Sequence, residues 1–119
     1  MKVCLPTTGK GGLDDLVSEH FGRSPTFTVV DTDSEQVRIV SNTSEHMGGT
    51  GKPPELIAQT GAQVLICSGL GPRAIEMLGS HGIQVYVGAS GTVKEAVKMW
   101  KDGRLEPATE QNACKDHHN

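Results

Sequence analysis

Residues 61–87 read GAQVLICSGLGPRAIEMLGSHGIQVYV, and this stretch decides the architecture. Val64-Leu65-Ile66-Cys67 is an unbroken apolar run, the pattern of a strand covered on both faces. Gly69-Leu70-Gly71 interrupts it. Pro72 then opens a helix, because the first helical turn has no use for the N–H that proline lacks. Ala74, Ile75 and Leu78 share one helical face, and the glycine-bounded segment 79–82 stops the helix. Residues 83–87 are again apolar and β-prone. A strand, a helix and a strand joined this tightly predict a right-handed crossover between parallel strands.

The pattern extends in both directions. Downstream, Thr92 and Glu95 have capping-box spacing, Val93, Ala96, Val97 and Trp100 fall at i, i+3, i+4 and i+7, and Gly103 stands at the expected helix end. Upstream, Pro53-Pro54 opens a helix that runs through Gln59 and is ended by Gly61. Earlier still, residues 2–5 form a short apolar run closed by Pro6, while 26–31 and 37–40 are β-branched runs joined by a polar turn, which predicts a hairpin. The order β-β-β-α-β-α-β-α predicts an α/β domain, a mixed five-stranded sheet with helices on its faces. At 119 residues there is room for one domain, set at residues 1–105. Residues 106–119 have little to bury and are expected to form a flexible tail.

Composition narrows the partners. The formal charge is −3 with Lys and Arg scattered, and the four aromatics (Phe21, Phe27, Tyr86, Trp100) cannot make a stacking platform, so nucleic acid is excluded as a partner. No apolar run approaches the roughly 18 residues that cross a bilayer, and the start breaks at Pro6 before a signal-peptide core could form, so a cytoplasmic protein with no membrane contact is expected. Cys4, Cys67 and Cys114 are odd in number and far apart, which suits reduced thiols.

Glycine is the surplus residue, 15 in all, and it concentrates in three loops that also carry potential ligands. The first runs from Gly9-Lys10-Gly11-Gly12 to Ser18-Glu19-His20-Phe21-Gly22-Arg23. The second is Glu45-His46-Met47-Gly48-Gly49-Thr50-Gly51-Lys52, and the third is Ser68-Gly69-Leu70-Gly71-Pro72. Ligands of open parallel sheets bind outside the carboxyl ends of the strands, where the second and third loops are expected. Helix starts there, with Lys10, Arg23 and Lys52 nearby, favour an anionic ligand.

Ser18 to Arg23, together with residues 61–74 and 82–86, resembles the dinitrogenase iron-molybdenum cofactor biosynthesis family, the NifX/NafY-like domain also found at the end of NifB. The resemblance covers about residues 1–105. It implies a ribonuclease H-like fold and a small carrier for a molybdenum- or iron-containing sulfur cluster, the iron-molybdenum cofactor or a precursor, delivered to an apo-target or cofactor-maturation protein. It also implies that His20, in the His-Phe-Gly element, ligates the cluster. On this reading Arg23, Gly48, Gly49, Gly51, Gly69 and Gly71 shape the pocket, and His46 and Cys67 are further candidate ligands. Cys114, His117 and His118 form a local set of the kind seen at the tails of some relatives. The closely spaced cysteines of NifB's radical-SAM module are absent, so cluster synthesis is not implied, and without a Cys-x-x-Cys pair a permanent four-cysteine cluster is unsupported. Oligomeric state is expected to be monomer or weak homodimer.

Plainer readings of the same residues stand beside these. An isolated histidine is commonly a surface residue, Cys4 and Cys67 suit a core, and His81 suits a helix end. The glycines suit turns of positive φ, and the tail set suits adventitious metal binding. Enzymatic readings lack their residues. The first strand carries no acid for a two-metal nuclease, Asp31 and Asp33 bracket the hairpin turn, and no nucleophile elbow, Walker loop or His-Glu-x-x-His is present. A general metal, phosphate or nucleotide binder unrelated to nitrogen fixation is the alternative from another functional class.

Overall fold

The computed structural model describes residues 1–44, 48–109 and 111–113. Its elements are β1 (Lys2–Thr7), a single 3-10 turn (Phe21–Arg23), β2 (Thr26–Asp31), β3 (Val37–Ser41), α1 (Pro53–Gln59), β4 (Val64–Ile66), α2 (Pro72–Ser80), β5 (Gln84–Val87), α3 (Val93–Lys101) and β6 (Glu106–Pro107). One mixed sheet has the order β3-β2-β1-β4-β5-β6. β1, β4 and β5 are parallel, whereas β2 is antiparallel to both β1 and β3, and β6 is antiparallel to β5. The sheet thus has six strands where the sequence pattern predicts five. β6 is a two-residue edge pairing that starts at Glu106, inside the segment expected to be tail, with Pro107 at the sheet's rim, where a missing N–H costs no ladder bond.

Alternation along the strands sorts the apolar residues onto two faces. Cys4, Phe27, Val29, Leu65 and Val85 pack with Ile57 of α1 and with Ala74 and Leu78 of α2. Val3, Leu5, Val30, Val64 and Ile66 pack with Val93, Ala96 and Val97 of α3. The continuous apolar run at β4 is explained by this double cover, all three of its residues being buried.

Each helix begins and ends where local chemistry directs. Proline starts α1 and α2, and α3 has the complete capping box: Glu95 N–H donates to Thr92 Oγ1 (3.2 Å) and Thr92 N–H donates to Glu95 Oε1 (3.1 Å). His81 closes α2, its N–H donating to the Leu78 carbonyl at 3.0 Å. Among the described residues, no helix is long and apolar enough to cross a membrane.

Candidate functional site

The strand directions gather the glycine loops at one edge. β1, β4 and β5 end there, β2 begins there, and β3 ends there, as the pairings Thr7↔Thr26 and Thr26↔Ser41 show. The segments after β1 (8–25), after β3 (42–44 and 48–52), after β4 (67–71) and after β5 (88–92) therefore share the carboxyl edge of the parallel strands. The described residues of all three loops are at this edge, the first loop included.

His20 stands just before the 3-10 turn and is exposed. Its backbone is fixed: its N–H donates to Ser18 Oγ (3.1 Å) and its carbonyl accepts from Arg23 N–H (3.1 Å). Phe21 anchors the turn by burying its ring against Phe27, centroids 5.6 Å apart. Among the described residues the His20 imidazole makes no hydrogen bond and Arg23 makes no ion pair, so both side chains are uncommitted on a rigid base.

The first loop is organised by Asp15, which the sequence reading does not single out. Its carboxylate accepts from Gly11 N–H (2.8 Å), Gly9 N–H (2.9 Å), Leu16 N–H (2.8 Å) and Thr8 Oγ1 (3.0 Å). Partial burial alone would push this carboxyl up; the accepted hydrogen bonds outweigh it and hold the group below its ordinary value. The amides of Gly9 and Gly11 are thus occupied by the protein's own carboxylate. The local signal is an acid just after a glycine cluster, the residue type that satisfies turn amides.

The second loop has a two-rung neck, with Gly49 N–H donating to the Ser44 carbonyl and Thr50 N–H to the Thr43 carbonyl, both at 3.0 Å. Gly49 is required here, since a Cβ would lie 1.9 Å from the Thr43 oxygen, while Gly48 and Gly51 hold positive φ of 81° and 78°. His46 lies outside the described residues, as do Cys114, His117 and His118. In the third loop Gly71 caps α2 with φ −71°, an ordinary extended conformation, and Gly69 is likewise absent from the positive-φ positions. Cys67, at the root of this loop, is 1% exposed, and its thiol donates to the Tyr86 carbonyl at 3.6 Å. That is the placement of a core thiol. Cys4 is fully buried on the same face, where burial pushes its thiol far up despite the Arg38 guanidinium.

Backbone bonds connect the loops: Val17 N–H donates to Gly91 O (2.9 Å), Gly88 N–H to Ser68 O (3.0 Å) and Ala89 N–H to Cys67 O (3.1 Å). Asn42 joins the second loop to the 3-10 turn. Its side-chain amide donates to the carbonyls of Gly22 (3.0 Å) and Ser24 (2.8 Å) and accepts from Ser44 N–H (3.1 Å). An open cleft of about 390 Å³, lined by Lys2, Val29, Asp31, Gln36, Val37 and Arg38, lies at the hairpin end of the sheet, away from these loops. Asp31 there is structural, accepting from Asp33 N–H (2.9 Å) and Ser34 N–H (3.3 Å) across the turn.

The sequence profile of the dinitrogenase iron-molybdenum cofactor family matches residues 1–103. The chain belongs to that family. A relative from Methanocaldococcus jannaschii, the uncharacterised protein MJ0580, is 31% identical over 111 residues, covering 89% of this chain and 90% of its own. Among solved structures, the apo form of the orange protein from Desulfovibrio gigas superposes with a TM-score of 0.81 at 30% identity, covering 91% of this chain and 92% of that one. A Thermotoga protein described as NifB-like gives 0.75 at 37% identity, covering 89% and 91%. The family is associated with the assembly and binding of the dinitrogenase cofactor, and the mixed α/β fold is shared with these neighbours.

Proposed function

We propose that this protein is a non-catalytic carrier that holds a molybdenum- or iron-containing sulfur cluster, or a precursor, at the loop edge and delivers it to an apo-target or maturation partner. One observation carries the reading: the exposed, backbone-fixed His20 and the glycine neck of the second loop stand at the same sheet edge, joined through Asn42. A neutral imidazole coordinates iron or molybdenum at neutral pH, and one or two such ligands hold a cluster loosely enough for transfer. Arg23 adds positive charge on the same turn for an anionic cargo. His46, in the segment bounded by the neck, is proposed as the second ligand. Cys67 is assigned to packing. The order β3-β2-β1-β4-β5, with β2 alone opposed in direction, supports a ribonuclease H-like fold. The nucleotide alternative has less support: Phe21 and Phe27 are buried, and Tyr86 and Trp100 pack edge-on against each other at 6.3 Å.

The test is anaerobic loading with tetrathiomolybdate, or with ferrous iron and sulfide, followed by desalting, metal analysis and a visible spectrum. Wild type should retain colour and metal, and His20→Ala should retain about tenfold less, the loss of one coordinating group. A colourless, metal-free wild type, or equal retention by His20→Ala, overturns the reading.

A further inference from the structure

Asn42 is 7% exposed and lies at the junction between the end of β3 and the second loop. Three of its side-chain hydrogen-bonding positions are filled by main-chain groups from two separate segments. Its two donated bonds hold the turn that follows His20, through the carbonyls of Gly22 and Ser24; its accepted bond holds the neck of the second loop through Ser44 N–H. Ser44 is itself 1% exposed, and its hydroxyl has no partner among the described residues, so Asn42 supplies the polar connection at this point. Gly22 and Ser24 are buried, so loss of Asn42 would leave their carbonyls without these bonds in a place short of water.

We infer that Asn42 is a positioning residue: it joins the His20 turn to the neck formed by Thr43, Ser44, Gly49 and Thr50 as one unit, and so sets the distance between the two sides of the cargo site. This rests on the carrier reading above for its use, but the coupling itself is a property of the cargo-free chain. Only an amide side chain fits the role, because two carbonyls require donors while one N–H requires an acceptor. An aspartate of the same shape keeps the acceptor and turns the donor side into repulsion.

Amide hydrogen exchange and tetrathiomolybdate binding test it together. In unmodified protein the amides of Arg23, Ser44, Gly49 and Thr50 should open as one unit, with protection factors that agree to within about twofold, whereas independent loops would open separately. In Asn42→Asp these four amides should lose protection together while those of β4 do not, and probe affinity should fall about tenfold with His20 intact. Separate opening in wild type overturns the coupling even if the variants fail to fold. Unchanged probe affinity in a folded Asn42→Asp or Asn42→Ala protein overturns the positioning role. A wild type that does not bind the probe sinks the carrier reading instead, and the coupling then stands or falls on the exchange pattern alone.

Discussion

Gly49 and Asp15 show how single residues set the shape of the loops at this sheet edge. A methyl group at Gly49 would collide with the Thr43 carbonyl, which is backbone and cannot swing aside. Gly49→Ala should therefore cost about 1–3 kcal/mol, the range for overpacking a closed site, read as a lowered thermal midpoint. Asp15 acts through charge. Its folded pKa is depressed, so its contribution is fully present above the ordinary carboxylate range near pH 4 and is lost as pH falls through the lower folded value. Asp15→Ala should destabilise the protein at neutral pH and flatten the acid limb of its stability profile; an unchanged limb would show that the four hydrogen bonds contribute nothing net. His20 is legible in the chain because a local motif surrounds it. Asn42 is not, because its carbonyl partners are 20 and 18 residues away and come near only when β2 and β3 pair.

At the scale of elements, helix boundaries follow from short-range rules and can be tested as such. Thr92→Ala removes the side-chain half of the α3 capping box and should cost about 1 kcal/mol, a fall of roughly 4 °C or more in melting temperature. Leu78 of α2 is fully buried between helix and sheet, and Leu78→Ala should cost about 2–5 kcal/mol by the same melts. The proline starts, the capping box and the 3.6-residue periodicity made the three helices readable, and the apolar run made β4 readable. β6 was unreadable for a physical reason. Two exposed residues, one of them proline, have no periodicity and become a strand only because the free edge of β5 is there to pair with them.

For the whole molecule, chain direction carries residues 106–108 away from the loop edge. Glu106 pairs with Val87, Pro107 with Tyr86, and Ala108 N–H donates to Val85 O at 2.8 Å, so the chain travels away from the loops as it leaves the sheet. Deleting residues 114–119 tests the tail set: tetrathiomolybdate binding within about twofold of wild type removes Cys114, His117 and His118 from the ligand set, and a larger loss keeps them in it. The sequence by itself determined the three helices, five of the six strands, the crossover topology of the second half and the family, since each depends on periodicity, capping or a contiguous motif. Tertiary structure alone decided that the first loop joins the other two at one edge, that the amides of Gly9 and Gly11 are taken by Asp15, that Cys67 is enclosed, and that Asn42 locks two loops together. Those outcomes depend on which distant backbone groups strand pairing brings within hydrogen-bonding reach, and no local pattern of residues records that.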